Sequence, residues 1–123
     1  NQEVSYLLQR TEEYPGVVIL SSNLKGNIDE AFTRRFQSMI YFQMPNDKER
    51  LSLWQKAFDG VLKPDASIDL KQIAKEYVLS GGAIVNVLKF CAIRAAQKDG
   101  LTISKEDLTD AIKSEFLKEG KIL

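Results

Sequence analysis

The sequence predicts an α+β protein that is mostly α. It reads as a short α/β piece of helix, strand, short helix and strand over residues 1–45, then a four-helix bundle over residues 46–123. Three observations point there. The apolar run "VVIL" at 17–20 follows the helix-breaking Tyr14-Pro15-Gly16 and holds three β-branched residues, the pattern of a strand buried on both faces. From residue 46 onward, apolar residues recur at helical spacing. The links between those stretches are a few residues long, as in a helix bundle.

The elements follow in order. "EVSYLLQRTEE" (3–13) places Val4, Leu7 and Leu8 at helical spacing, and Pro15 and Gly16 end that helix. After the 17–20 strand and a loop at 21–28, "DEAFTRRF" predicts a short helix capped by Asp29, and "SMIYFQMP" a second strand stopped by Pro45. "NDKERLSLWQKAFDG" opens with Asn46 and Glu49 at capping-box spacing, turns Leu51, Leu53, Trp54, Ala57 and Phe58 inward, and stops at Gly60. "DLKQIAKEYVL" (69–79) carries a stripe of Leu70, Ile73, Ala74, Tyr77 and Val78, with Asp69 as cap. "GAIVNVLKFCAIRAAQKDG" aligns Ile84, Val87, Leu88, Cys91, Ala92 and Ala95 and ends at Gly100. "LTI" is a short extended link. Ser104 and Asp107 open a last helix whose stripe is Leu108, Ala111, Ile112 and Phe116, with Glu115 as the exception.

Composition narrows the function. The 123 residues, 44% hydrophobic and 28% charged, suit one soluble domain or a small domain with a partial neighbour. Seventeen Lys plus Arg balance seventeen Asp plus Glu, so no global field favours nucleic acid or an anionic membrane. Cys91 is the single cysteine and there is no histidine, which excludes an internal disulfide and the usual zinc-ligand sets and suits a reducing, cytoplasmic setting. No apolar run approaches the roughly 18 residues of a membrane span, and no signal peptide is visible at the start. The chain opens on Asn1 rather than Met, which suggests a piece cut from a longer chain.

Taken singly, the notable residues have ordinary readings. Asn23 suits a turn former, Arg34 and Arg35 a solvated face, and Gly81-Gly82 loop punctuation before a helix. Taken together they suit phosphate chemistry. Ligands of open α/β sheets bind beyond the carboxyl ends of the strands, where Asn23 follows Leu20. An amide there can donate to a phosphate oxygen and accept from a water. An arginine at the edge can reach a neighbouring subunit's nucleotide.

"VVILSSNLKGNIDEAFTRRF" resembles the second region of homology of AAA ATPases: a hydrophobic strand, an asparagine, then D-x-A-x-x-R-R-F. "PNDKERLSLWQKAF" is similar to the segment that enters their helical lid, and "LSGGAIVNVLKFCAIRAA" to the lid helix whose N-terminus faces adenine. "DGLTISKEDLTDAI" matches the short strand and helix that close the lid. The resemblance implies that residues 1–45 are the end of an α/β nucleotide-binding domain and residues 46–123 the lid. It implies Asn23 as the sensor 1 residue that positions the hydrolytic water, and Arg35 as an arginine finger acting in trans. Arg34 would be a second interface arginine, and Gly82, Ala83 and Ile84 would pass close to adenine and ribose. ATP with Mg²⁺ is the implied cofactor of a full-length parent, and identical subunits in a ring, a hexamer, are its implied partners. No membrane or nucleic acid is implied, and the remodelled protein substrate is not named by these residues.

Departures limit the resemblance. No G-x-x-x-x-G-K-[ST] occurs, and no apolar strand ends in Asp-Glu, so phosphate loop, magnesium carboxylate and catalytic base are missing. The chain is therefore expected to be inactive alone and to bind nucleotide very weakly or not at all. No arginine stands in 79–88 to act as sensor 2. In the family the two strands flank a phosphate-loop strand, so here they are not built to pair with each other. Residues 1–45 are accordingly expected to be mobile, rearranged or propped by another copy. The alternatives are a small helical binding or adaptor module without nucleotide function, and a helix-turn-helix DNA binder. The latter is disfavoured because "LKFCAIRAAQK" offers only Lys89, Arg94 and Lys98 as a basic face. Trp54, Phe58 and Cys91 read as core, and Lys118 and Lys121 as complements to the last helix's dipole.

Overall fold

Helix α1, Gln2–Glu13, ends where the sequence places its breakers. The computed structural model describes residues 2–22, 34–98 and 100–121. The chain divides into two units, Asn1–Phe42 and Gln43–Leu123. In the first, Leu8 of α1 is buried while its neighbour Leu7 is exposed. The Thr11 hydroxyl donates to the Leu8 carbonyl at 2.7 Å, tightening the last turns.

The two expected strands of this unit are corrected. Residues 17–20 and 38–44 run without ladder pairing, and Val17, Ile19 and Phe42 are more than 85% exposed. A strand is defined by its partners. With no neighbouring strand among the described residues, an apolar β-branched run has nothing to bury against and its backbone groups turn to water. The short helix expected from Asp29 falls mostly outside the described residues, and at its end Arg34 and Arg35 form a turn.

The second unit is built from capped helices around one core. Helix α2 is Asp47–Ala57, and its capping box forms as the sequence predicts: the Asn46 Oδ1 accepts from the Glu49 amide at 2.9 Å, and the Glu49 carboxylate accepts from the Asn46 amide at 3.0 Å. Trp54 and Phe58 turn inward one turn apart, ring centroids 6.3 Å from each other and nearly parallel. Strand β1, Lys63–Pro64, follows. Helix α3, Leu70–Glu76, is capped by Asp69, which accepts from the amides of Lys71 and Gln72. It is shorter than the 69–79 reading. Tyr77 is already extended, so that Leu79 can enter the core and Ser80 can adopt the extended backbone of the next cap.

Helix α4, Gly81–Gln97, turns Ala83, Ile84, Val87, Cys91 and Ala95 inward. Strand β2, Thr102–Ile103, pairs in parallel with β1, the Lys63 amide donating to the Leu101 carbonyl and the Asp65 amide to the Ile103 carbonyl, both at 2.9 Å. Pro64 lies between those two donors, where its missing N–H costs no ladder bond. Helix α5, Lys105–Lys118, opens on the Ser104 cap and buries Leu108, Ala111, Ile112 and Phe116. It closes in a Schellman turn. Gly120 takes φ 72, its amide donates to Leu117, and the Lys121 amide donates to Phe116. The molecule is thus α+β and mostly α, as its pattern predicts.

The core joins α2, α3, α4, β2 and α5 through Trp54, Ile73, Leu79, Val87, Ile103 and Ile112, with Cys91 among them. Among the described residues three charged side chains are buried as well. Asp107 pairs with Lys98 at 3.0 Å. Glu115 pairs with Lys118 at 2.7 Å and accepts from the Asn86 amide at 3.5 Å. Arg50 pairs with backbone, described below. Both acids thus end in a lysine that reaches toward solvent, which keeps the charge cheap to bury.

Candidate functional site

The candidate residues divide between the two units. Asn23 lies outside the described residues. Arg34 and Arg35 sit together on the exposed turn of the first unit, where the Arg35 Nε meets the Glu12 carboxylate of α1 at 3.1 Å. Both partners of that pair keep a large part of their surface in water, so it orients Arg35 more than it stabilises the fold.

Gly82, Ala83 and Ile84 occupy the first turn of α4. Ser80 places them: its hydroxyl accepts from the Ala83 amide at 3.1 Å and its carbonyl from the Ile84 amide at 3.0 Å. Ala83 and Ile84 face the core, so only their backbone and that of the two glycines can meet a ligand. Gly82 is exposed and Gly81 half-buried. A Cβ added there would meet nothing nearer than the Ser80 hydroxyl at 3.9 Å, and one on Gly81 nothing nearer than the Leu53 side chain, also at 3.9 Å. Neither glycine has positive φ. Internal packing therefore does not call for glycine here, although glycine weakens a helix relative to alanine by up to about 1 kcal/mol. The turn is left bare toward the outside. No acidic residue stands in it, so the positive end of a 17-residue helix dipole is not locally offset.

Among the described residues no group of three or more His, Cys, Asp or Glu could hold a metal ion. What this turn offers a ligand is backbone approach at Gly81 and Gly82, with no side chain in the way. Sequence reasoning missed Arg50, although Arg50, Trp54 and Phe58 stand four residues apart and so share one helix face.

No family model matches the chain. Several curated proteins do. The chain is 33% identical over 100 residues to an ATP-dependent zinc metalloprotease FtsH 3 of Symbiobacterium thermophilum, covering 78% of this chain and 16% of that protein. It is 35% identical over 109 residues to a putative 26S proteasome regulatory subunit homologue of Methanocaldococcus jannaschii, covering 86% and 29%. It is 31% identical over 102 residues to a katanin p60 ATPase-containing protein of Rattus norvegicus, covering 81% and 20%. These relatives are AAA ATPases. They support an AAA relationship for most of the chain, which spans less than a third of the length of each. The matched stretches reach into both units, since matches over four fifths of the chain are longer than the 81 residues from Gln43 to Leu123.

Proposed function

We propose that this chain is the C-terminal part of an AAA ATPase module, the end of the nucleotide-binding domain followed by the helical lid. The observation that carries the reading is the bare, serine-capped first turn of α4, in a chain whose relatives over most of its length are AAA ATPases. In a full-length parent, the backbone of Gly82, Ala83 and Ile84 packs against adenine and ribose. Asn23 orients the attacking water at the γ-phosphate, and Arg35, with Arg34 beside it, stabilises charge developing on a neighbouring subunit's ATP. The phosphates and Mg²⁺ are held by parts of the parent outside these 123 residues, so the chain alone does not turn over ATP and binds it very weakly at most. The parent works as a ring of identical subunits in the cytoplasm and couples hydrolysis to remodelling of protein substrates.

Two substitutions in the full-length protein test this. Arg35→Ala should lower ATP turnover by roughly 10³ to 10⁵, or about 4 to 7 kcal/mol of barrier, while ATP affinity stays nearly the same. Asn23→Ala should likewise slow hydrolysis more than binding. If either variant folds normally yet loses ATP binding, the assignment is wrong.

A further inference from the structure

Arg50 is 5% exposed, and among the described residues no carboxylate pairs with it. Its guanidinium is instead forked between two backbone carbonyls: Nε donates to Ala74 at 2.7 Å and a terminal nitrogen donates to Pro45 at 2.6 Å. Each carbonyl sits at a place where the backbone cannot use it. Ala74 is in the last turn of α3, whose final internal bond runs from the Tyr77 amide to Ile73, so its oxygen is one of the orphans at a helix C-terminus. Pro45 directly precedes the α2 cap, Asn46. A buried cation satisfied only by carbonyls is costly for simple space filling, where an aliphatic residue would serve.

The two anchored points have different surroundings. Pro45 is where the chain enters the helical unit. Ala74 leads through Leu79, itself in the core, to the Ser80 cap and the bare turn at Gly82. A planar fork with donors at fixed separation holds two acceptors in one geometry, which a lysine's single ammonium does not.

We propose that Arg50 is a positioning residue that locks the entry segment at Pro45 to the α3–α4 corner, so that displacement of the α4 turn by a nucleotide is passed to the chain entering the lid. The inference rests on the reading of residues 46–123 as a nucleotide-facing lid. It concerns how the site is coupled to the rest of the protein rather than which residues bind.

The test uses the full-length protein with spin labels on Gln9→Cys and Lys113→Cys, exposed positions in the two units. Pulsed distance measurements are made with and without a non-hydrolysable ATP analogue, beside turnover and analogue affinity. In the parent sequence the analogue should narrow the distance distribution. Arg50→Gln should remain cooperatively folded, lose that narrowing, and lower turnover by roughly 2- to 30-fold with affinity changed less than about twofold. Arg50→Lys should fall between, since it reaches one carbonyl at a time. If Arg50→Gln lowers only the melting temperature and the narrowing persists, Arg50 is a structural bond and the proposal is overturned. If the distribution widens in Arg50→Gln but the unsubstituted protein binds no analogue, the lock stands and the lid reading fails.

Discussion

Gly82 separates structure from function more sharply than any other residue of the α4 turn. Because a Cβ there meets nothing closer than an ordinary contact with the Ser80 hydroxyl and the backbone is helical, Gly82→Ala should stabilise the helical unit by about 0.4–1 kcal/mol through the unfolded chain's lost freedom. In the full-length parent the same methyl should weaken ATP binding, because it would stand where we propose the nucleoside approaches. A rise in melting temperature with unchanged ATP affinity would mean the bare turn has no ligand. Cys91 shows the reverse case, a chemically capable residue kept inert. Burial, with the Asp107 charge adding to it, pushes its thiol from the ordinary 9.0 up to about 12. Since the folded value lies above the unfolded one, its contribution to stability is complete below pH 9 and is lost as the pH rises from 9 toward 12. Denaturant titrations should show stability falling faster between about pH 8 and 10.5 for the parent sequence than for Cys91→Ala, and a thiol reagent should label Cys91 only on unfolding. The sequence reading of Cys91 as core was available from its place on an apolar stripe. Arg50 was not, because residue type argued for the surface while its spacing from Trp54 and Phe58 placed it inside.

Elements governed by neighbours in sequence were the legible ones. The caps Asn46, Asp69 and Ser104 could be read because a cap binds amides two or three residues ahead. Ser80→Ala and Ser104→Ala should each cost about 1 kcal/mol, measured by chemical denaturation of the chain. What depended on distant partners was harder. Thr102–Ile103 could be read as extended, but its parallel partner Lys63–Pro64 holds a proline and carries no strand signal of its own. The C-terminal end of α3 was overread because Tyr77 and Val78 continue the helical stripe, whereas the tertiary demand to bury Leu79 and free Ser80 ends the helix sooner. Trp54, fully buried with no partner for its indole N–H among the described residues, lies at the centre of this packing. Trp54→Ala should destabilise the unit by about 3–5 kcal/mol. Trp54→Phe should cost clearly less, since it removes the unpaired donor along with part of the ring.

At the scale of the molecule, the two units differ in what they bury. The second has a continuous core, whereas in the first the apolar residues at 17–20 and 38–42 stand largely in water. Their apolar, β-branched composition predicts strands that the structure does not form, because pairing is a property of neighbours and sequence pattern does not report whether neighbours are present. Amide hydrogen exchange of the chain should therefore show strong protection in α4 and α5 and rapid exchange at residues 17–20. The candidate site was legible only through resemblance, since Asn23, Arg35 and Gly82 each have an ordinary reading alone. The most direct test of the central claim, that Arg35 completes a neighbour's ATP site, is complementation in mixed rings of the full-length protein. Subunits carrying Arg35→Ala are mixed with subunits whose phosphate-loop lysine is replaced. Each variant alone should be nearly inactive and the mixture should regain ATP turnover, because intact fingers then face intact sites. Full turnover by Arg35→Ala alone, or no recovery on mixing despite assembly, would contradict it.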